Sequence, residues 1–414
     1  MRISILTMLL VASATLLPGC SNDEEAVPSS STGPAPTYIP GDSEVEIGLG
    51  TSLTDLSVSV DKRATETGEY VQAQLGVFCL AMNKQTESGE IPDIKWFADS
   101  GDDTACPWTK FKNLSATSEE SGKLTFSTTN YYPATQYYAY GFFAYAPYTT
   151  TNTEVVTSAD EPSLNRWRVK YTIDGTQDIL WGRSTDDPGD RTDYSAQYFR
   201  KDANVGKTPQ IEMKHVLTRL TFRAKTLSAT EGGTQPFPGA EKTYVRVVEI
   251  RDVPTQFYLT VADQGRMTTL NETNCLEAVP EAKGNLRLRD GEGDFISNKP
   301  IKINPELNGT VDLGESIMLM PASSYNLRIQ VITLRIPESE GGEVSLNNAD
   351  YSETAATLRI SSNGGTFQAG KSYTVTINIA GSKQTTAKAN LQLWDTSGPN
   401  PDEVGFNTSN NTSN

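Results

Sequence analysis

Apolar and polar residues alternate along much of the chain. In YTVTINI, Tyr373, Val375, Ile377 and Ile379 alternate with Thr374, Thr376 and Asn378. The same period runs through Ala387, Ala389, Leu391 and Leu393, through Leu327, Ile329 and Val331, and through Leu124, Phe126 and Thr128. A period of two over such lengths predicts half-buried strands. Turn clusters such as ESGE, SGDD, DDPGD, EGGT and NGGT punctuate them, and helix-forming runs free of Gly, Pro and β-branched residues are scarce. Many strands without helical intervals predict an all-β chain built of antiparallel β-sandwich domains.

Breaks in this pattern set the expected organisation. Residues 184–209 are polar, turn-rich and without apolar periodicity, which predicts one β-sandwich over 45–190 and a second over 207–395. Residues 20–44 form a flexible linker whose Pro, Ser and Gly content suits a tether. Residues 396–414 form a polar tail. The stretch IEMKHVLTRLTFRAK, 211–225, reads as one strand.

Composition narrows the function. A chain of 414 residues suits two domains. The net charge of −16 repels phosphate backbones, which argues against nucleic acid as a partner. The one histidine, His215, cannot build a His-based metal site, and it reads as a strand residue rather than a catalytic one. No Gly-rich phosphate loop, Gly-x-Ser-x-Gly elbow or metal-ligand spacing is present, so neither an enzyme nor a cofactor or metal is expected. The aromatic run YYAYGFFAYAPY, 137–148, reads as a core strand. The alternative is a sugar-binding platform.

The amino terminus changes the expected compartment. Arg2 precedes the apolar run Ile3–Leu17, too short for a membrane span and shaped as a signal peptide over 1–19. Leu17-Pro18-Gly19-Cys20 resembles a bacterial lipobox, which implies acylation of Cys20 and anchoring to outer-membrane lipid. Asp23, Glu24 and Glu25 behind it resemble the surface-export signal of Bacteroidetes lipoproteins. Of the remaining cysteines, Cys79 and Cys106 could pair in an exported protein, and buried free thiols are the equal alternative. Cys275 completes an odd set of three.

Several phrases together resemble the fimbrillin family of pilus subunits: YVQAQLGVFCL (70–80), QDILWGR (177–183), HVLTRLTFRAK (215–225), IMLMPASSYNLRIQVITL (317–334), FQAGKSYTVTINI (367–379) and LQLW (391–394). The resemblance implies two tandem transthyretin-like β-sandwiches and a surface lipoprotein that serves as a structural, tip or accessory subunit of a pilus and supports adhesion. Its partners would be other pilus subunits, joined by strand exchange. It also implies proteolysis behind the first strand. Leu56, Val58 and Val60 fit that exchanged strand, and the cut is expected between Arg63 and Ala64. A carboxyl-terminal donor strand is not visible after Trp394. The competing function is a monomeric surface lipoprotein that binds glycans.

Overall fold

A computed structural model describes residues 45–51, 73–84, 94–96, 111–132, 138–158, 160, 165–184, 194–200, 204–230, 233–263, 266, 269–335, 351–362, 365–381 and 385–392. Nearly all of the regular structure is strand, as the alternation predicts. The first half holds β1 (Val45–Glu46), β2 (Leu49–Thr51), β3 (Gln74–Lys84), β4 (Ile94–Trp96), β5 (Phe111–Ser118), β6 (Lys123–Phe126), β7 (Tyr131–Tyr132), β8 (Tyr138–Ala146), β9 (Thr153–Thr157), β10 (Asn165–Thr172), β11 (Leu180–Ser184) and β12 (Gln210–His215), with the short helix α1 (Ala196–Arg200). The second half holds β13 (Thr218–Thr226), β14 (Thr243–Pro254), β15 (Gln256–Asp263), β16 (Leu276–Ala278), β17 (Lys283–Arg287), β18 (Ile301–Lys302), β19 (Thr310–Asp312), β20 (Ile317–Leu319), β21 (Ser324–Leu334), β22 (Tyr351–Ser361), β23 (Ser372–Ile379) and β24 (Thr385–Gln392).

The first β unit is hydrogen-bonded into a closed ring. The order is β3–β5–β6–β2–β12–β11–β8, and β8 pairs back onto β3. Seven staves cannot alternate direction all the way round, so one neighbouring pair must run parallel. That pair is β2 and β12. Closure leaves no open edge on the ring staves where they pair. Leu75, Val77, Phe142, Ala144, Leu180 and Ile211 fill the interior.

β3 and β8 are buried on both faces. Phe78, Leu80, Phe143 and Tyr145 point away from the ring interior into a second cluster with Trp167, Val169, Phe257 and Val261. This explains why GVFCL and YGFFAYA read as continuous apolar runs rather than alternating ones. The sheet that covers this face is β16–β15–β10–β9. It joins strands from both halves of the chain, with Val169 opposite Leu259 and Tyr171 opposite Phe257. The Trp181 indole N–H donates to the Val261 carbonyl at 2.8 Å, and the Tyr171 hydroxyl donates to the Pro147 carbonyl at 2.7 Å.

The second unit has two five-stranded sheets. One holds β19, β13, β20, β23 and β24, and the other holds β17, β14, β18, β21 and β22. Leu220, Phe222 and Ala224 on β13 lie beside Tyr373, Val375 and Ile377 on β23. They share one core with Val248, Ile250, Leu327 and Ile329 of the facing sheet.

The stretch 211–225 is two strands, not one. β12 belongs to the ring and β13 to the second unit. Between them Val216 and Leu217 are both fully buried. Two adjacent buried residues break a period of two, and the inward positions change from Ile211 and Met213 to Leu220 and Phe222. The crossing therefore lies at Val216–Leu217, beyond the turn-rich stretch 184–209.

Two substitutions test this packing. Leu49→Ala, in the closing stave, is expected to lower unfolding free energy by about 2–5 kcal/mol, read by urea denaturation. Trp181→Phe keeps the ring but orphans the Val261 carbonyl, for an expected loss of about 1–3 kcal/mol in the same measurement.

Candidate functional site

The segment Val45–Thr51 closes the ring and lies upstream of the expected cut site. Its sequence, VEIGLGT, places Val45, Ile47 and Leu49 on one side of an extended chain. Ile47 and Leu49 are buried, and Leu49 has no exposed surface. Removing these two side chains from water contributes about 3–6 kcal/mol at the usual values for an aliphatic residue.

Backbone pairing holds the segment on every side. Val45 and Glu46 lie opposite Tyr132 and Tyr131 of β7. The Ile47 N–H donates to the Asn130 carbonyl at 2.7 Å. Leu49 and Gly50 lie antiparallel to Leu124 and Lys123 of β6, while Gly50 and Thr51 lie parallel to Gln210 and Ile211 of β12. The Gly50 N–H donates to the Pro209 carbonyl at 2.9 Å, and the Thr51 N–H donates to the Gly122 carbonyl at 2.7 Å. The end of the exposed Gln210 side chain lies over Gly50, where a Cβ would need that flexible amide to swing aside.

An aromatic wall supports the segment from behind. Tyr132 packs edge-on to Phe142 with ring centroids 6.3 Å apart and lies 5.3 Å from Phe199 of α1. Burial first, and then Cys79, Tyr194 and Tyr140 around it, push the Tyr132 phenol well above the ordinary tyrosine range. It stays neutral in water at any ordinary pH, as a wall against an apolar strand requires.

Most of the residues expected to carry function lie outside the described residues. These are Cys20, the strand residues Leu56, Val58 and Val60, the cut site Arg63 and Ala64, and Cys106. Cys79 lies buried on β3 with its side chain in the ring interior. Cys275 is a buried thiol, and burial pushes its titration far above the ordinary range, so it is unreactive in the folded protein. His215 ends β12 with Nδ1 2.8 Å from Asp178 Oδ2, both mostly buried, in a structural pair.

Within the aromatic run 137–148, Tyr140, Phe142, Phe143 and Tyr145 are buried and Tyr148 is half-buried. Trp167 and Trp181 are likewise buried. Among the described residues no group of three or more His, Cys, Asp or Glu could hold a metal ion, and no helix is long and apolar enough to cross a membrane. The segment 45–51 is an element that the sequence pattern did not bring forward, although the alternation of Val45, Ile47 and Leu49 marks it.

Comparison with known proteins gives the family. Solved structures similar to this chain include a proposed cell adhesion protein from Bacteroides uniformis, 14% identical over 84% of this chain and 99% of that one, with a TM-score of 0.39. A proposed cell adhesion protein from Bacteroides ovatus is 14% identical over 86% and 99%, with a TM-score of 0.40. The fimbrial anchor protein Mfa2 from Porphyromonas gingivalis is 10% identical over 85% and 98%, with a TM-score of 0.30. No curated protein matches the chain. The model of the fimbrillin-like family matches residues 63–394, most of the sequence. Such proteins are pilus-type structural proteins rather than enzymes, and the chain belongs to the fimbrillin-like family.

Proposed function

We propose that this protein is a surface lipoprotein that enters a pilus, as a structural or accessory subunit, by exchanging its ring-closing strand. Acylation at Cys20 delivers it to the outer membrane. Cleavage between Arg63 and Ala64 then cuts the covalent link between 45–51 and the rest of the ring. The observation that carries this reading is that Val45–Thr51, upstream of that site, completes a ring otherwise made of residues downstream of it.

Loss of the segment would leave β6 and β12 with unpaired backbone groups across a gap of roughly two strand spacings, about 9–10 Å. The slot vacated by Ile47 and Leu49 would be apolar. Such a gap is filled by one extended strand with alternating apolar side chains, which is β-augmentation. A partner strand of that pattern restores the backbone pairs and the burial together. The exchanged element in this account is 45–51, either alone or continuing into Leu56, Val58 and Val60. Once the cut is made, Cys20 leaves with the displaced segment and the lipid anchor is temporary.

The competing reading, a monomeric lipoprotein that binds glycans with exposed Tyr and Trp residues, draws no support from Tyr140, Tyr145, Trp167 and Trp181, which are buried.

Intact-mass analysis of protein shaved from the cell surface tests the proposal. The expected assembled form begins at Ala64, and Arg63→Ala leaves a form that retains acylated Cys20 and runs as a monomer on native gels. An assembled form that still begins at Cys20, or unchanged assembly by Arg63→Ala, overturns the cleavage step.

A further inference from the structure

The second unit carries a cluster of arginines that no step above uses. Glu249 on β14 is almost completely buried, and its side chain is 3% exposed. Arg287 Nε donates to its Oε2 at 2.6 Å. Arg251 Nε lies 3.6 Å from its Oε1 and Arg328 Nη1 lies 3.9 Å from the same oxygen. The side chains of Arg287, Arg251 and Arg328 are 50%, 43% and 30% exposed. A carboxylate offers two oxygens, whereas each guanidinium carries five N–H donors. One buried acid therefore orients three guanidiniums and cannot satisfy all of their donors.

Strand register extends the cluster into two rows on the same outward face. One row is Arg287–Glu249–Arg328–Thr357. The next is Arg251–Asn326–Arg359, in which an amide stands between two guanidiniums and no acid is present. Arg359 Nε donates to the Ser324 hydroxyl at 3.0 Å. The cations of the second row stand two strand spacings apart, about 9–10 Å. Other acids on these four strands are Asp252, in the bulge of β14, and Glu353, which pairs with Arg246. In a chain of net charge −16, a face with four guanidiniums around one carboxylate is an electrostatic exception.

We propose that this face binds an acidic oligosaccharide of the uronate class, with its carboxylates on the guanidiniums and its hydroxyls on the polar side chains between them. Planar bidentate recognition of carboxylate is what the guanidinium fork does best, and Glu249 already draws guanidiniums to a carboxylate here. Asn285, Asn326 and Thr357 are exposed beside the arginines and supply amide and hydroxyl partners for sugar hydroxyls. A protein partner would need an apolar or aromatic anchor at the centre of its contact. The large apolar residues exposed among the described residues, Val155 and Val205, lie on other elements. A long, densely charged polyanion would run onto the acidic remainder of the surface. A ligand with spaced carboxylates avoids that repulsion. The site does not depend on strand exchange, so it can be tested on protein that has not assembled.

Binding of a galacturonate oligomer to the full chain, measured by calorimetry, tests the proposal. Neutral dextran, sulfated dextran and a poly-glutamate peptide serve as comparison probes. The expected result is saturable binding of the galacturonate oligomer, none of dextran, and weakening at least tenfold between low and high salt. Arg251→Gln combined with Arg359→Gln should weaken binding at least tenfold. Both side chains are exposed, so the urea midpoint should stay unchanged. Arg287→Lys should weaken binding by a smaller factor, because the substitution keeps the charge but loses the fork. Equal or tighter binding of sulfated dextran or poly-glutamate overturns the uronate assignment. Absence of galacturonate binding, or binding indifferent to the double glutamine variant, overturns the site.

Discussion

The first unit depends on one short backbone splice. β2 contributes only three residues, yet it joins β6 to β12 and so turns an open sheet into a ring. Without it two strands end in unpaired N–H and C=O groups, and an unpaired edge is the most reactive feature that a sheet can present to another chain. Seven staves force one parallel pair, and that pair falls at β2–β12. Geometry, burial and hydrogen bonding thus converge on a segment of a few residues. The same short element is the source of folded closure in this unit.

The rest of the molecule is arranged so that the ring does not stand alone. The sheet β16–β15–β10–β9 takes strands from both halves of the chain, and its apolar face lies against the outside of β3 and β8. Trp181 ties the two together through a directed hydrogen bond as well as through its area. β3, β8 and β11 thus pack on that shared core as well as on the ring interior, whereas Leu49 of β2 packs in the ring interior. The short length of β2 and the length of β3 and β8 express that division of labour in the sequence itself.

Much of this was legible in the residues. Strict alternation identified β21 and β23, because each has one face in a core and one turned outward. The all-β architecture followed from the same signal and from the turn clusters. The crossing between units was harder to see. Val216 and Leu217 shift the phase of alternation without any Gly or Pro, so 211–225 looked continuous. β2 was missed for another reason: two of its three residues are Gly50 and Thr51, and its stability comes from neighbours far along the chain. The arginine face was invisible because Arg251, Arg287, Arg328 and Arg359 are scattered over four strands, β14, β17, β21 and β22. Only register brings them together with Glu249.

Hydrogen exchange across the β6 and β12 amides is the most direct test of ring closure by 45–51. The account predicts slow exchange at Leu124 and Ile211 in the intact protein. It predicts fast exchange after the chain is cut at Arg63 and the amino-terminal peptide removed, and slow exchange again when a peptide of sequence VEIGLGT is added in excess. If Leu124 and Ile211 remain slow after removal of the peptide, the ring does not depend on this strand and the account is wrong.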